Sequence, residues 1–281
     1  RPGMEKSIVI IVALTALIFV AASAVMSQWS IEEMCRIVRR QFNEEQMVIA
    51  HNVKNFIERE FSLLKREMKI LSLELEKNED SVRAIQSMLD RVGECGVSKI
   101  EFYNRDAGIL YSGQPGRREI TYSPLEKNLP LPFDPDAQKI NHLSISKPHI
   151  KPSEIFLLLS LAVGQSPSQI IICHVNISWL LDHFLKNIRS GKTGYAWIID
   201  SDGYFIFHPV TSFIGKNAFL ARKEKDDAIS FVEINKIQKD EMLNGLEGTG
   251  RYFSGWHKEL KGRMEKLIAY TPVAVSQTPA Q

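Results

Sequence analysis

The sequence predicts an α/β chain: a membrane-spanning helix that continues into a long amphipathic helix, followed by two tandem modules built on antiparallel sheets. Three observations predict it. Ser7 to Met26, SIVIIVALTALIFVAASAVM, carries no charge over about twenty residues, enough at ~1.5 Å each to cross a ~30 Å hydrocarbon core. From Ile31 the apolar residues recur at alternating three and four spacing, as Met34, Val38 and Phe42 and then as Val53, Ile57, Phe61, Leu64, Met68, Leu71 and Leu75, which is the period of a helix. After Gly96 the period changes to two, and glycine-bounded hairpin patterns follow.

Arg1-Pro2-Gly3 ahead of Met4 has the look of a cloning-site remnant, so residues 1–6 are taken as that remnant with a cytoplasmic start. Residues 7–27 are the transmembrane helix. Ala22-Ser23-Ala24 would also suit cleavage of a signal peptide, whereas Trp29 at the expected interface and the absence of Gly or Pro between Gly3 and Gly93 favour an uncleaved helix that runs on. Residues 28–78 form a helical spine of roughly 45 amphipathic residues, about 70 Å if straight. One small domain cannot cover that length, so part of the stripe is expected to pair with a second copy in a homodimer; the alternative is packing on its own domain alone.

Asn78-Glu79-Asp80-Ser81 breaks the spine. Residues 79–177 then make a membrane-distal module, opening with a short helix over Val82 to Val92 capped by Ser81 and ended by Gly93. Val97 to Tyr103 and Gly108 to Ser112 predict a hairpin around Asn104-Arg105-Asp106-Ala107-Gly108. Residues 113–139 hold five of the chain's twelve prolines and predict a long irregular loop. Strands are expected over Ile140 to Ser146, Ile155 to Val163 and Gln169 to Ile177, the last central because Ile170 to Cys173 is apolar on both faces. Residues 178–281 make the membrane-proximal module: a connector helix to Ile188, a second hairpin, a charged loop around Lys223 to Asp227, a helix near Lys239 to Asn244, and strands over Gly248 to Trp256 and Arg263 to Tyr270.

The second hairpin carries the sharpest signal. Tyr195 to Ile199 and Tyr204 to Phe207 flank the turn cluster Asp200-Ser201-Asp202-Gly203, His208-Pro209 ends the second strand, and Ile214-Gly215-Lys216 follows. The run from Gly191 to Asn217 resembles the membrane-proximal module of double Cache sensor domains, and the element order resembles that family over roughly residues 28–275. The resemblance implies two PAS-like modules on a dimerising spine in the extracytoplasmic part of a bacterial inner-membrane receptor: a histidine kinase, chemoreceptor or cyclic-dinucleotide enzyme. It also implies a small-molecule ligand in the distal module and a conformational shift passed down the spine. The family would add a final strand and a second transmembrane helix after Thr271-Pro272-Val273, and residues 274–281 do not supply them.

Composition sets limits on function. With 44% hydrophobic and 24% charged residues and a net charge of +2, nothing demands nucleic acid. The seven histidines show no HxxxH or HExxH spacing, the three cysteines no paired spacing, and no nucleophile elbow, Walker loop or dinucleotide fingerprint occurs. No metal, cofactor or catalytic residue is therefore expected. Cys35 on the spine is the one thiol placed to bridge two copies. His208 beside Asp200 and Asp202 would support a membrane-anchored hydrolase, although a His-Pro strand end favours a structural hydrogen bond. The expected ligand-binding set, all distal, is Tyr103, Tyr111, Arg118, Tyr122, His142, Ser144 and Ser146, with Tyr195, Trp197 and Tyr204 as proximal alternatives. Amino-acid-binding Cache domains carry an Arg-x-Trp-Tyr pattern that is absent here, where Arg117 to Tyr122 reads RREITY, so an amino-acid ligand is not implied. The remaining alternative is a sensor that binds a periplasmic protein rather than a small molecule.

Overall fold

The three-and-four stripe is buried as its spacing requires. In the computed structural model, which describes residues 2–77, 80–93, 95–117, 119–125, 143–151, 154–164, 166–191, 194–257 and 260–275, α1 (Pro2–Glu76) is one helix of 75 residues, about 110 Å long. Val53, Ile57, Phe61 and Leu75 are buried along it, and Leu64, Met68 and Leu71 have no exposed surface at all. Its N-terminal part differs. Phe19, Val25, Trp29, Met34 and Val38 are each more than half exposed, and from Leu14 onward α1 is long and apolar enough to cross a membrane.

Helix α2 (Ser81–Val92) lays Ile85, Met88 and Leu89 into the same core. Its cap is Asp80 rather than Ser81: the Asp80 carboxylate accepts the N–H groups of Val82 and Arg83 at 3.0 and 3.4 Å, and a negative charge there also suits the helix dipole. Arg91 donates to the buried Glu67 of α1 at 2.5 Å, tying the two helices together.

Against these helices lies the distal sheet of β1 (Val97–Asn104), β2 (Ile109–Gly113), β3 (Thr121–Pro124), β4 (Ser144–Ile145), β5 (His149–Lys151), β6 (Glu154–Val163) and β7 (Ser166–Asn176). The order is β3-β2-β1-β7-β6-β4, with β5 also paired to β6. Strand β7 is central, between antiparallel β1 and β6, and Ile170 to Cys173 are completely buried on it. The stretch expected to be irregular contains β3, which widens the sheet by pairing with β2; residues 126–142 lie outside the described residues. Gly113 marks the close approach of α2 to the sheet, because a Cβ there would stand 2.5 Å from Ile120 and 2.7 Å from Leu89.

The proximal module begins with α3 (Ile177–Leu185), capped by the Asn176 side chain on the Trp179 N–H. In the second hairpin the regular ladder is shorter than its sequence pattern, covering β8 (Ile198–Ile199) and β9 (Phe205–Phe207). Gly203 turns it at φ +84°, a conformation that favours glycine. Where a charged loop was expected, α4 (Ala218–Lys225) is helical: Asn217 caps the Phe219 N–H, and Ala218, Ala221 and Arg222 face inward. The helix expected near Lys239 to Asn244 lies earlier, as α5 (Val232–Asp240), followed by a single 3-10 turn over Met242–Asn244. Strands β10 (Gly248–His257) and β11 (Leu260–Tyr270) form a long antiparallel pair. Phe205, Phe213, Ile234, Tyr252, Trp256 and Ile268 make a core separate from the distal one.

His208 belongs to that core. It is 4% exposed, packed on the rings of Phe205 and Phe213 at 4.9 and 4.8 Å, and its Nδ1 accepts the Val210 N–H at 2.9 Å. Burial, with the Arg222 charge beside it, drops its pKa to about 3. The imidazole therefore stays neutral in the folded chain while the unfolded chain takes up a proton below about pH 6.5, so stability falls as pH drops through the window from 6.5 to 3.

Two outcomes follow from this packing. Leu71→Ala should cost about 2–5 kcal/mol in denaturant unfolding, the range for an aliphatic side chain removed from a closed core, whereas Leu73→Ala, at an exposed position two residues along the same helix, should change stability by less than about 0.5 kcal/mol. At pH 5 the neutral His208 should cost about 2 kcal/mol relative to neutral pH. His208→Asn, which keeps an acceptor for Val210, should flatten that part of the pH–stability curve, and an unchanged curve would assign the acid lability to other groups.

Candidate functional site

Strand alternation gives the distal sheet two unlike faces. Ile100 and Phe102 of β1, with Ile171, Cys173 and Val175 of β7 and Leu157, Leu159 and Leu161 of β6, turn toward α1 and α2. The opposite face carries Lys99, Glu101 and Tyr103, whose cross-strand partners on β7 are His174, Ile172 and Ile170. On this outer face Ile170, Ile172 and Leu158 join Tyr103 in a second buried cluster, with Leu110 and Leu125 at its edge.

A charged group stands in the middle of that cluster. Glu101 is 5% exposed, and its Oε2 meets His174 Nε2 at 2.7 Å and accepts from the Tyr103 hydroxyl at 3.2 Å, while Lys99 pairs with Oε1. Burial alone would raise the carboxyl's pKa, but the hydrogen bonds from His174 and Lys99 outweigh it and hold the group at about 2. The ionised form thus contributes stability on the order of 3 kcal/mol above pH 4.5, lost as pH falls from there toward 2. Burial and the Glu101 charge push the Tyr103 phenol up, so it remains a neutral donor. Glu101 is thus a fixed negative charge with Lys99, Tyr103 and His174 already on its two oxygens, set beside the closed apolar cluster of Ile170, Ile172 and Leu158.

The expected binding residues divide by face. Tyr103 is in the cluster just described. Ser144 pairs with Ser160, and Ser146 donates its N–H to the Leu158 carbonyl, which places both at the β6 edge of the same face; the Ser146 hydroxyl accepts the Leu158 N–H at 2.9 Å and donates to the Lys147 carbonyl, a strand-end role. Tyr111 and Tyr122 pair with each other across β2 and β3 on the side that faces the helices. Tyr111 stacks on Phe102 at 5.8 Å, and Tyr122 is 74% exposed. Arg118 and His142 lie outside the described residues. Lys99, Glu101 and His174 were missed, although the alternation Lys99-Ile100-Glu101-Phe102-Tyr103 carries the signal: polar residues at every second position of a strand otherwise bound for the core.

The proximal module holds a cavity of about 790 Å³ between α1, the hairpin and β11, lined among others by Phe42, Ile49, Val53, Tyr195, Trp197 and Lys266. Of the proximal aromatics considered, Tyr195 and Trp197 face it, whereas Tyr204 is 40% exposed and bridges to Asn217. The carboxylates a hydrolase would need are engaged elsewhere. Asp200 accepts the N–H groups of Asp202 and Tyr204 within its turn, and Asp202 pairs with Lys147 at the surface, at 2.7 Å. His208, with a pKa near 3, is a weak base. Among the described residues no group of His, Cys, Asp and Glu is arranged to hold a metal ion.

Comparison with known proteins agrees with this architecture. The Cache domain family model matches residues 30–279. Among solved structures, the extracellular domain of mmHK1S-Z2, described as a histidine kinase, superposes with a TM-score of 0.56 at 13% identity, covering 83% of this chain and 93% of that one. Methyl-accepting chemotaxis protein X superposes at 0.52 with 12% identity, covering 85% and 100%, and the ligand-binding domain of Mlp24 with asparagine at 0.49 with 17% identity, covering 76% and 84%. No curated protein matches the chain. A family match across both modules and the lower spine, on the fold that match requires, places this chain in the Cache domain family.

Proposed function

We propose that the chain is the extracytoplasmic sensing part of a bacterial membrane receptor: a histidine kinase, chemoreceptor or cyclic-dinucleotide enzyme whose output domain lies outside it. A small molecule binds on the outer face of the distal sheet, and the membrane is reached through residues 7–27. The observation that carries this reading is the buried Glu101 with Lys99, Tyr103 and His174, an ionic cluster on the one sheet face that takes no part in packing the spine. Burying a carboxylate for stability alone is poor design, because a well-packed apolar face does as well or better.

The same sheet is fixed to α1 on its inner face, so a ligand that favours one position of β1 and β7 biases α1 as well. Between the described modules and the apolar run, Ile31, Met34 and Val38 are exposed at i, i+3 and i+7, the spacing of a two-helix seam. This supports the homodimer, in which two spines would carry the shift to the membrane as a pair.

A thermal-shift screen of amines, amino acids, organic acids and purines tests the ligand. A binder at 100 times its Kd should add about 2.7 kcal/mol to the folded state. Glu101→Gln and Tyr103→Phe should each weaken that binder while Tyr122→Ala leaves it intact; a binder indifferent to Glu101→Gln would remove the outer face from consideration, and silence across the panel would favour a protein partner. For the seam, Met34→Glu with Val38→Glu should convert a dimer into monomers by light scattering, and the unfolding midpoint, which depends on protein concentration in the dimer, should lose that dependence.

A further inference from the structure

Strand β11 alternates Met264, Lys266 and Ile268 toward the proximal core, and Lys266 stands opposite Tyr252. An aliphatic residue is the ordinary choice at such a position, since a buried ammonium without a counter-ion is costly. Burial, with the charges of Arg222 and Lys225 beside it, brings the Lys266 pKa down to about 8. Its Nζ lies 5.7 and 5.8 Å from the ring centres of Tyr195 and Trp256. Lys225 stands over the same Trp256 ring at 5.1 Å, and the buried Arg222 guanidinium lies 5.1 Å from the Trp197 ring.

Arg222 is buried in this core, Lys266 reaches it half-buried from β11 and Lys225 only from the exposed end of α4, and among the described residues none of them is paired with a carboxylate. Arg222 donates to the Ala218 carbonyl and to Gln238. In the core behind the cavity the Gln238 Nε2 and Trp256 Nε1 donors are buried with no acceptor, while at the cavity wall the Gln46 Oε1 and the Ser190 hydroxyl are buried with no partner, so polar groups at both places are left to be satisfied. The two carboxylates at the adjoining cavity are engaged elsewhere: Asp200 holds its turn, and Glu265, on the other side of β11, faces Arg39 and Arg251 at 3.6 and 3.5 Å.

Lys266, Tyr195 and Trp197 line that cavity, and its opposite wall is α1, apolar at Ile49, Ala50 and Val53 with Gln46 and the further cation Lys54 beside them. A space of about 790 Å³ is the size of a small-molecule site. From this geometry we infer a second binding site, in the proximal module, for a small organic carboxylate: its anionic group pairs with Lys266, backed by Arg222, and its apolar body lies against the spine. This site differs from the distal one in place and in sign of charge.

The probe is benzoate, added to the full chain in detergent micelles and followed by tryptophan fluorescence and the unfolding midpoint, with benzyl alcohol as the uncharged control. Benzoate should raise the midpoint and perturb the emission of Trp197 and Trp256, and benzyl alcohol should do neither. Lys266→Met should weaken benzoate roughly ten- to a hundredfold, the effect of removing a charged hydrogen-bond partner, while Glu101→Gln on the distal sheet leaves it unchanged. Binding should fade above about pH 8 as Lys266 loses its proton and persist in Lys266→Arg. The other groups facing Lys266 are Arg222 and Lys225 of α4, the neutral His208, and the Tyr195 and Tyr252 phenols, which burial pushes up. If Lys266→Met does not fold, the pH dependence and Lys266→Gln decide. Absence of a benzoate response, an equal response to benzyl alcohol, or a response that survives Lys266→Met and vanishes in Glu101→Gln would each overturn the proximal site; the last would move the anion to the distal sheet.

Discussion

Everything in this chain is arranged around one helix that belongs to no single module. A helix of this length cannot be stable in water by propensity alone, since isolated helices gain little per residue and most of their stability in proteins comes from packing an apolar face. Helix α1 is covered in sections: the distal sheet and α2 close over Phe61 to Leu75, and the proximal module lies along Phe42 to Val53. Leu64, Met68 and Leu71 are sealed on all sides, so the distal sheet cannot shift against α1 without opening voids or moving the helix with it. The polar ties repeat this at intervals, from Arg91 to Glu67 above and from His51 to Glu247 and Arg39 to Glu265 below. The surface ties are worth little each; the buried stripe is what makes the helix a stiff connection.

That constraint explains the asymmetry of the distal sheet. One face must be continuously apolar to bind α1 and α2, which leaves the other as the only surface on which polar chemistry can be placed without weakening the spine. Glu101 sits on β1, between β7, which packs on α1, and β2, which packs on α2. A ligand there would act on strands held by both helices.

The sequence made the spine legible in detail. Each residue of the Val53 to Leu75 stripe is buried, because a helix repeats its geometry every few residues and a long periodic run averages out local exceptions. The hairpins were legible for the same reason over shorter spans. Helix α4 was not: eight residues are too few to show a period, and its inward positions are Ala218, Ala221 and Arg222, two small residues and a charge, where amphipathicity normally announces itself with large aliphatics. The candidate site was harder still. Tyr103 was found because an aromatic on a strand attracts attention, but Lys99, Glu101 and His174 come together only when β1 is laid beside β7, some seventy residues further along the chain. The apolar run Ile170 to Cys173 hid His174, since a strand buried on both faces gives no alternation to mark where its polar end begins. Tyr111 and Tyr122 share the sheet face opposite to that of Tyr103, a division the residue list by itself did not display; in a strand, one position of offset reverses the face.

The two modules have also diverged in the chemistry of their interiors. The distal outer face is organised around an anion, Glu101, whose donors already surround it. The proximal core holds a buried cation, Arg222, with Lys266 half-buried beside it and His208 held neutral so that it adds no further positive charge. Ligands of opposite character would therefore suit the two modules, and a single helix runs past both sites. Coupling between sites that bias one shared element is reciprocal by thermodynamic necessity: whatever an anion in the proximal cavity does to distal affinity, a distal ligand does to the proximal affinity by the same factor. The helix passes the proximal cavity first on its way from its exposed apolar run, so an anion lodged against Ile49 and Val53 would act on the segment of α1 between that run and the distal sheet. On the proposed reading, the proximal cavity would set how strongly a distal ligand is felt along α1, a role that would follow from its position on that helix and not from its affinity.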